Sequence, residues 1–370
     1  MKRFWILLRT ELKAWQREPI TALGGFIPPI FILLAFGLLF GGRLTFKIGF
    51  INQDNGPYGA HLRTAIDEVI SPFGTPYYDV IEGSETEIWD AYRTYRLDGV
   101  WVVPPDFSTR MDNGDQPKFE MHFNNYNDDR AKNHRIYSAE ILWHFYTEIG
   151  YPPPPIALAE TYPRDQMVEW LPVISVGVML LSFMLGAMMN VFMLTHKEQL
   201  TRMTFEFGLA PRSMVWVLLP KTFLALIMGL VTGTTLMFIV YLWSGLWPGK
   251  FIFAVWLLAG LVILFWTPLV LLAAFRDVHY FAGAVVTILT GLTIFFTSGG
   301  LALVRPFKEK VLWFSWLFPN IYAVDPMRDL ILFNEWPSDW DSTLVILSAF
   351  AAGSLVVGWV LAARKVRQLG

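Results

Sequence analysis

Cysteine is absent from the 370 residues, which excludes a disulfide framework and any thiolate metal site. Charge is scarce as well. Only 16% of residues are Asp, Glu, Lys or Arg, where a soluble globular chain carries nearer a quarter. No G-x-x-x-x-G-K-[ST] phosphate loop occurs; the nearest stretch, Gly245 to Lys250, has the wrong spacing to cradle nucleotide phosphates. The six histidines (His61, His122, His134, His144, His196 and His279) make no HExxH or other recognised ligand pair. His134 and His144 share one expected helix but lie almost three turns apart, so the spacing implies no metal site between them. Nor does any basic run mark a nucleic-acid partner. The net charge of −2 carries little information, because the charges are segregated along the chain.

What is abundant is apolar surface: 54% of residues are hydrophobic and the mean hydropathy is +0.42. Long apolar runs recur at about 20–42, 171–194, 214–243, 251–275, 280–304 and 343–363. Each reaches the roughly 20 residues that cross a bilayer. The first exceeds a signal-peptide core and lacks an A-x-A site, so it reads as a retained signal anchor. The flanks set the orientation. Lys2, Arg3, Arg9, Lys13 and Arg17 precede the first run; Lys197, Arg202, Arg212 and Lys221 are assigned to the connection between the second and third; Arg276 follows the fourth, and Arg364, Lys365 and Arg367 follow the last. By the positive-inside rule that side is cytoplasmic, with both termini inside.

Residues 43–170 therefore fall outside and read as an α/β domain. Lys47–Asn52, Gly99–Val103 and Lys118–Phe123 have strand character. Tyr58–Ile70, Glu85–Tyr95 and Asp128–Tyr146 have helical periodicity. The segment holds 20 Asp and Glu against 11 Lys and Arg. That excess reads as solubility rather than as a receptor for cations. Pro152–Pro155 suggests a stiff linker, and Ile156–Trp170 a helix feeding the second span. The stretch 305–340, with Pro306, Pro319 and Pro326, suggests short helices at the outer surface; Trp313, Trp316, Trp336 and Trp340 suit the headgroup layer.

Three features remain within or beside the spans. Phe4, Leu8, Leu12 and Trp15 share one helical face in residues 1–19, flanked by bases that can reach lipid phosphates: an interfacial helix, separated from the first span by Arg17, Glu18 and Pro19. Residues 195–213 form a short cytoplasmic helix with Leu200, Met203 and Phe207 at helical steps, Gly208 as its C-cap and Pro211 as a stop. Polar residues draw two stripes, Ser182, Gly186 and Asn190 on the second span, and Thr287, Thr290, Thr293 and Thr297 on the fifth. Both are readable either as interhelical packing or as a substrate path. Gly229 and Gly233 make a GxxxG, read as close packing. No charged residue sits in the middle of a run, which argues against a coupling-ion site and for energy supplied from outside the membrane region.

Four stretches stand out within this arrangement: KIGFINQDNGPYGAHL (47–62), DGVWVVPPDFSTRMDNGDQPKFEMHFNNYND (98–128), SGGLALVRPF (298–307) and LFPNIYAVDPMRDLILFNEW (317–336). In these stretches, their order and the topology, the chain resembles the ABC-2 family of transporter permeases, in the branch with a large extracytoplasmic domain between the first two spans. The resemblance implies a polytopic α-helical membrane protein of six spans with an extracytoplasmic α/β domain, resident in a bacterial cytoplasmic membrane. It implies no catalysis in this chain: Mg-ATP would belong to separate cytosolic P-loop ATPase subunits driving export of an amphiphile such as a drug, lipid or polysaccharide. The expected partners are those ATPases, a second permease copy or paralogue, membrane lipid and, outside the membrane, an adaptor protein. By the same resemblance residues 196–213 are the coupling segment, with Glu198, Gln199, Leu200, Arg202, Met203, Phe207, Gly208 and Pro211 as contacts. Glu198 and Pro211 fit the family's pattern there, while Leu200-Thr201-Arg202 stands where members carry Gly-Thr. Two rivals belong to other classes. A membrane-anchored sensor or scaffold would use the external domain to bind a ligand, but no cytosolic output domain accompanies it. A membrane-embedded enzyme would use Asp325, Asp329, Glu335, Asp339 and Asp341, but these lack a partner base or metal spacing.

Overall fold

The computed structural model describes residues 2–18, 20–40, 45–72, 74–94, 96–115, 118–123, 128–150, 170–209, 214–276, 279–301 and 309–369. Contacts divide the chain into two units: residues 42–167, and residues 1–41 with 168–370.

The smaller unit is a four-stranded sheet with helices on both faces. Strands β1 (Phe46–Asn52), β2 (Tyr78–Ile81), β3 (Gly99–Val103) and β4 (Glu120–Phe123) lie in the order β2-β1-β3-β4. The first three are parallel and β4 is antiparallel to β3. In this unit the helices are α3 (Pro57–Glu68), α4 (Glu85–Arg93), α5 (Phe107–Asp112) and α6 (Asp128–Glu148). Period-2 alternation sends Phe46, Ile48, Trp101 and Val103 to one core with Leu62, Ile66 and Phe145, and Ile51 and Val100 to another with Ile88. A strand covered on both faces reads as an unbroken apolar run, which is why Gly99–Val103 was legible. Gly49 is required by the crossing of α4, since a Cβ there would lie 2.3 Å from the Ile88 side chain. The sequence reading missed β2 and α5, two short elements, the first with Asp79 in its middle. The helix expected before Trp170 and the Pro152–Pro155 linker lie outside the described residues.

The larger unit is helical. α1 (Lys2–Gln16) and α2 (Ile20–Phe40) are separate helices, with the chain leaving helical geometry at Arg17 and Glu18. Then come α7 (Trp170–Leu200), α8 (Met203–Leu209), α9 (Val215–Ser244), α10 (Ile252–Ala274), α11 (Tyr280–Thr297), α12 (Glu309–Ser315), α13 (Asn320–Arg328) and α14 (Trp340–Leu369). Five of these, α7, α9, α10, α11 and α14, are long and apolar enough to cross a membrane. α2 is apolar throughout, and its 21 residues reach about 31 Å at 1.5 Å each. The apolar run expected over 280–304 is helical only to Thr297, where Ser298–Gly300 turn the chain away.

α7 is the central element, with 83% of its most apolar stretch buried. Small residues let its neighbours approach. A Cβ on Gly229 or Gly233 of α9 would meet Phe183 of α7 at 2.7 and 2.2 Å, so the GxxxG is a packing face. A Cβ on Gly177 would lie 2.1 Å from the Gly300 carbonyl, which seats the turn after α11 against α7. Pro268 interrupts the hydrogen-bond ladder of α10, and Ser354 of α14 donates to the nearby Phe265 carbonyl at 2.6 Å. The segment after α12 folds back onto this core. Ala323, Val324 and Met327 of α13 and Leu330 and Ile331 of the π-type turn Asp329–Phe333 are buried, while Trp313, Trp316 and Trp336 stay exposed.

Candidate functional site

The densest polar construction in the larger unit joins α1, α7 and α9. On α1, Phe4, Leu8, Leu12 and Trp15 occupy one face, as their spacing requires. That face packs against Leu194 of α7 and Leu224 and Met228 of α9. The same geometry brings one charged side chain per helix together. Glu11 lies on the Leu8 stripe, Glu198 is one turn beyond Leu194, and Lys221 is one turn before Leu224. The Lys221 ammonium donates to Glu11 Oε1 and to Glu198 Oε1, each at 2.7 Å, and is only 2% exposed. A buried ammonium is tolerated only when paired in this way. One lysine thus ties the N-terminal helix to the ends of two membrane-length helices. A second tie runs over the surface, where Lys197 of α7 pairs with Glu18 beyond α1.

Two expectations change here. The sequence reading placed Lys221 among the bases of a connecting loop; it sits two turns inside α9, buried, because two carboxylates on neighbouring helices neutralise it. The apolar face of α1, expected to lie on lipid, is covered by α7 and α9, while Trp5 and Ile6 on its other side are 64% and 56% exposed.

Beyond Glu198 the chain makes an elbow. α7 continues to Leu200, Thr201 Oγ1 returns to the Lys197 and Glu198 carbonyls, and Arg202 adopts a left-handed backbone (φ 63°) before α8 begins. A non-glycine residue in that region carries a cost of about 1 kcal/mol, so the bend is imposed by its surroundings. The single coupling helix expected over 195–213 is therefore two helices meeting at Arg202, and Gly208 lies inside α8 rather than capping it. The bend redistributes the expected face. Leu200 (64% exposed) and Met203 (43%) remain outside with Phe205 and Leu209, whereas Phe207 is partly buried against the helical core. Glu198 points inward to Lys221. Gln199 Oε1 and Thr204 Oγ1 are buried, without hydrogen-bond partners among the described residues. Pro211 lies outside the described residues.

The two polar stripes part company. Ser182 and Asn190 are wholly buried. Ser182 donates to the Gly25 carbonyl of α2 at 3.1 Å, and Asn190 accepts from the Trp15 indole at 3.0 Å while its amide donates to Gly186. Ser182 thereby ties α7 to α2, and Asn190 ties it to α1. Thr287 is also buried, but Thr293 is exposed and Thr290 and Thr297 are partly so; each hydroxyl bonds a carbonyl one turn back. A threonine so bonded presents its methyl and a lone pair, a mild surface. α11 is little covered, with Phe281, Val285, Val286 and Leu289 exposed alongside the stripe.

His196 was unremarkable by spacing, yet it is 1% exposed and stacked between Phe192 and Tyr280, with Nδ1 against the Ala274 carbonyl at 3.1 Å. It pins α7 to α10 and α11 at the same end as the Lys221 cluster. Farther from that end, Arg328 donates to Asp325 and to the Gly299 carbonyl, and Asn320 joins Trp266 of α10 to Met184 at the middle of α7. No charge pattern in the sequence announced either junction.

In the smaller unit, His134 is buried beside Tyr78 and Phe46. His144 pairs instead with Glu68 on α3, beside Glu148. The two histidines thus belong to different surroundings, consistent with their spacing.

No curated protein matches the chain. The family described as ABC-2 family transporter protein matches residues 23–360, a span that takes in α7 to α11, the elbow at Arg202, Lys221, the smaller unit and most of α14. The chain is a multi-pass membrane protein of the ABC-2 family of transporter permeases.

Proposed function

We propose that this chain is the membrane half of an ATP-driven exporter, energised by a separate cytosolic P-loop ATPase that pushes on the elbow between α7 and α8. The observation that carries the reading is the coupling of that elbow to the helical core. Leu200, Met203, Phe205 and Leu209 offer an exposed apolar surface beside a bend, and one helical turn before the bend Glu198 is bonded through Lys221 to α1 and α9. A force applied at α8 is thereby transmitted to three helices at once. The left-handed Arg202 and the unpartnered Gln199 and Thr204 oxygens make the elbow the least settled part of that end, as a moving joint requires.

In this reading α2 is the first of six spans, residues 42–167 stand outside the cytoplasmic membrane of a bacterium, and both termini are inside. The exposed face of α11, with Thr290, Thr293 and Thr297, meets a second copy or a paralogue. The substrate, an amphiphile, passes between the two, against a surface of methyls and hydroxyls that suits a mixed polar and apolar cargo. Binding and hydrolysis of Mg-ATP belong to the partner.

The test is mild-detergent affinity purification from native membranes, comparing the natural chain with Leu200→Glu/Phe205→Glu. The natural chain should carry a P-loop ATPase at one copy per permease, and the double variant should lose it while remaining inserted. Equal recovery from both would remove the elbow from the contact.

A further inference from the structure

Near the far end of α14 a cavity of about 410 Å³ opens between that helix and the start of α9. Its α14 wall is one helical face: Val356, Trp359, Val360, Ala363, Arg364 and Arg367 recur at three- and four-residue steps. The α9 wall is apolar. The polarity is graded. Arg364 and Arg367 lie at one end and Trp359 about 7.5 Å deeper than Arg364 along the axis; Val356 is a further ~4.5 Å in. Among the described residues no acidic side chain lines the cavity, so within that lining the two guanidinium groups are uncompensated. The Trp359 indole N–H is buried and lacks a partner among the described residues.

This order of groups, cation pair, then an unmet donor, then an apolar slot, is the order in which a phospholipid presents phosphate, ester carbonyl and acyl chain. We infer that the groove between α9 and α14 is a binding site for one anionic phospholipid, its phosphate held by Arg364 and Arg367 and its chain lying along Val356 and Val360. Arginine suits this task because its planar fork grips phosphate oxygens in pairs. A small turn of the Trp359 ring toward an ester oxygen would satisfy its N–H. The inference needs only that α9 and α14 cross a membrane. It does not depend on an ATPase partner, so either reading can fail without the other.

Native mass spectrometry of the full chain, in detergent with equal amounts of phosphatidylglycerol and phosphatidylcholine of matched chains, tests it. At about 1 kcal/mol per basic residue facing an anionic headgroup, each arginine is worth roughly fivefold. The natural chain should therefore retain phosphatidylglycerol about twenty-five-fold over phosphatidylcholine. Arg364→Gln/Arg367→Gln should bring the two near parity, and Arg364→Lys/Arg367→Lys should keep most of the preference. Val360→Trp, which fills the slot without touching the charges, should lower retention of both lipids. Should the glutamine pair fail to fold, the lysine pair and Val360→Trp still decide. Equal retention by the natural chain overturns the inference, as does an unchanged preference after loss of both arginines. Displacement of the lipid by inorganic phosphate at the same concentration would make this a free-phosphate site and also overturn it. So would a dimer in which a second copy covers the groove and no lipid is carried.

Discussion

Replacing Lys221 by methionine isolates the central joint of the fold. At an effective dielectric of about 20, each 2.7 Å ammonium–carboxylate contact is worth roughly 6 kcal/mol of Coulomb attraction before desolvation. Dehydrating a lysine that is 2% exposed consumes much of that, so the intact cluster is close to neutral in its net effect. Removing the lysine is different. It leaves Glu11 and Glu198, at 13% and 17% exposure, facing each other with no cation between them. Breaking a buried pair in this way costs about 3–5 kcal/mol, which in a chain of this size lowers the unfolding temperature by roughly 10 °C. Glu198→Gln alone leaves a one-to-one pair and should cost much less. The triple change Glu11→Gln, Glu198→Gln and Lys221→Met removes all the charge together and should recover most of the loss. The assay is thermal unfolding of the purified chain in one detergent at one scan rate, since unfolding of such proteins is a rate as much as an equilibrium. If Lys221→Met unfolds within 2 °C of the natural chain, or no better when the two glutamates are also neutralised, the cluster does not hold these helices.

Other consequences follow from the same contacts. Asn190→Leu leaves the Trp15 indole N–H without its acceptor inside the fold and should cost about 1–3 kcal/mol, visible in the same unfolding assay; Trp15→Phe should cost less and should make the Asn190 change smaller when the two are combined. In the smaller unit burial raises the Asp54 carboxyl, but hydrogen bonds from the Ser108 hydroxyl and N–H and from Gly59 and Gly56 outweigh it, so it titrates below the ordinary carboxylate value. A depressed carboxyl contributes stability above its unfolded pKa of about 3.9 and loses it as pH falls through the folded value; Asp54→Asn should therefore be less stable than the natural chain at pH 7, and the gap should close below about pH 4 in paired melts. Because the chain has no cysteine of its own, Thr86→Cys and Gln368→Cys report topology directly: an impermeant maleimide added to intact spheroplasts should label the first, and the second only after the membrane is opened.

Much of this fold was legible because its governing patterns are periodic and local. The apolar runs gave the five membrane-length helices and the apolar helix α2. The alternation in Lys47–Asn52 and Gly99–Val103 gave the two central strands, and Phe4, Leu8, Leu12 and Trp15 gave the buried face of α1. The failures are contacts between distant residues. Lys221 looked like a loop base because its neutralising partners are 210 and 23 residues away, and no linear pattern links Glu11, Glu198 and Lys221. The bend at Arg202 was hidden by a sequence that continues helical spacing through Leu200, Met203 and Phe207. Only a positive φ at a residue other than glycine marks it. Asn190 and Ser182 form a stripe that reads as a path or as packing, and the sequence gives no hint of their partners, the Trp15 indole of α1 and the Gly25 carbonyl of α2.

The decisive contact is the one proposed between the outer surface of the elbow and an ATPase. A single cysteine at Leu209, the only one in the chain, can be oxidised or bridged with a short bifunctional maleimide in native membranes, and the adduct identified by mass spectrometry. An adduct to a P-loop ATPase, absent when the cysteine is moved to Thr86, is the predicted result. A Leu209→Cys chain that labels freely with soluble maleimide but never acquires an ATPase adduct, in membranes where export continues, would contradict it.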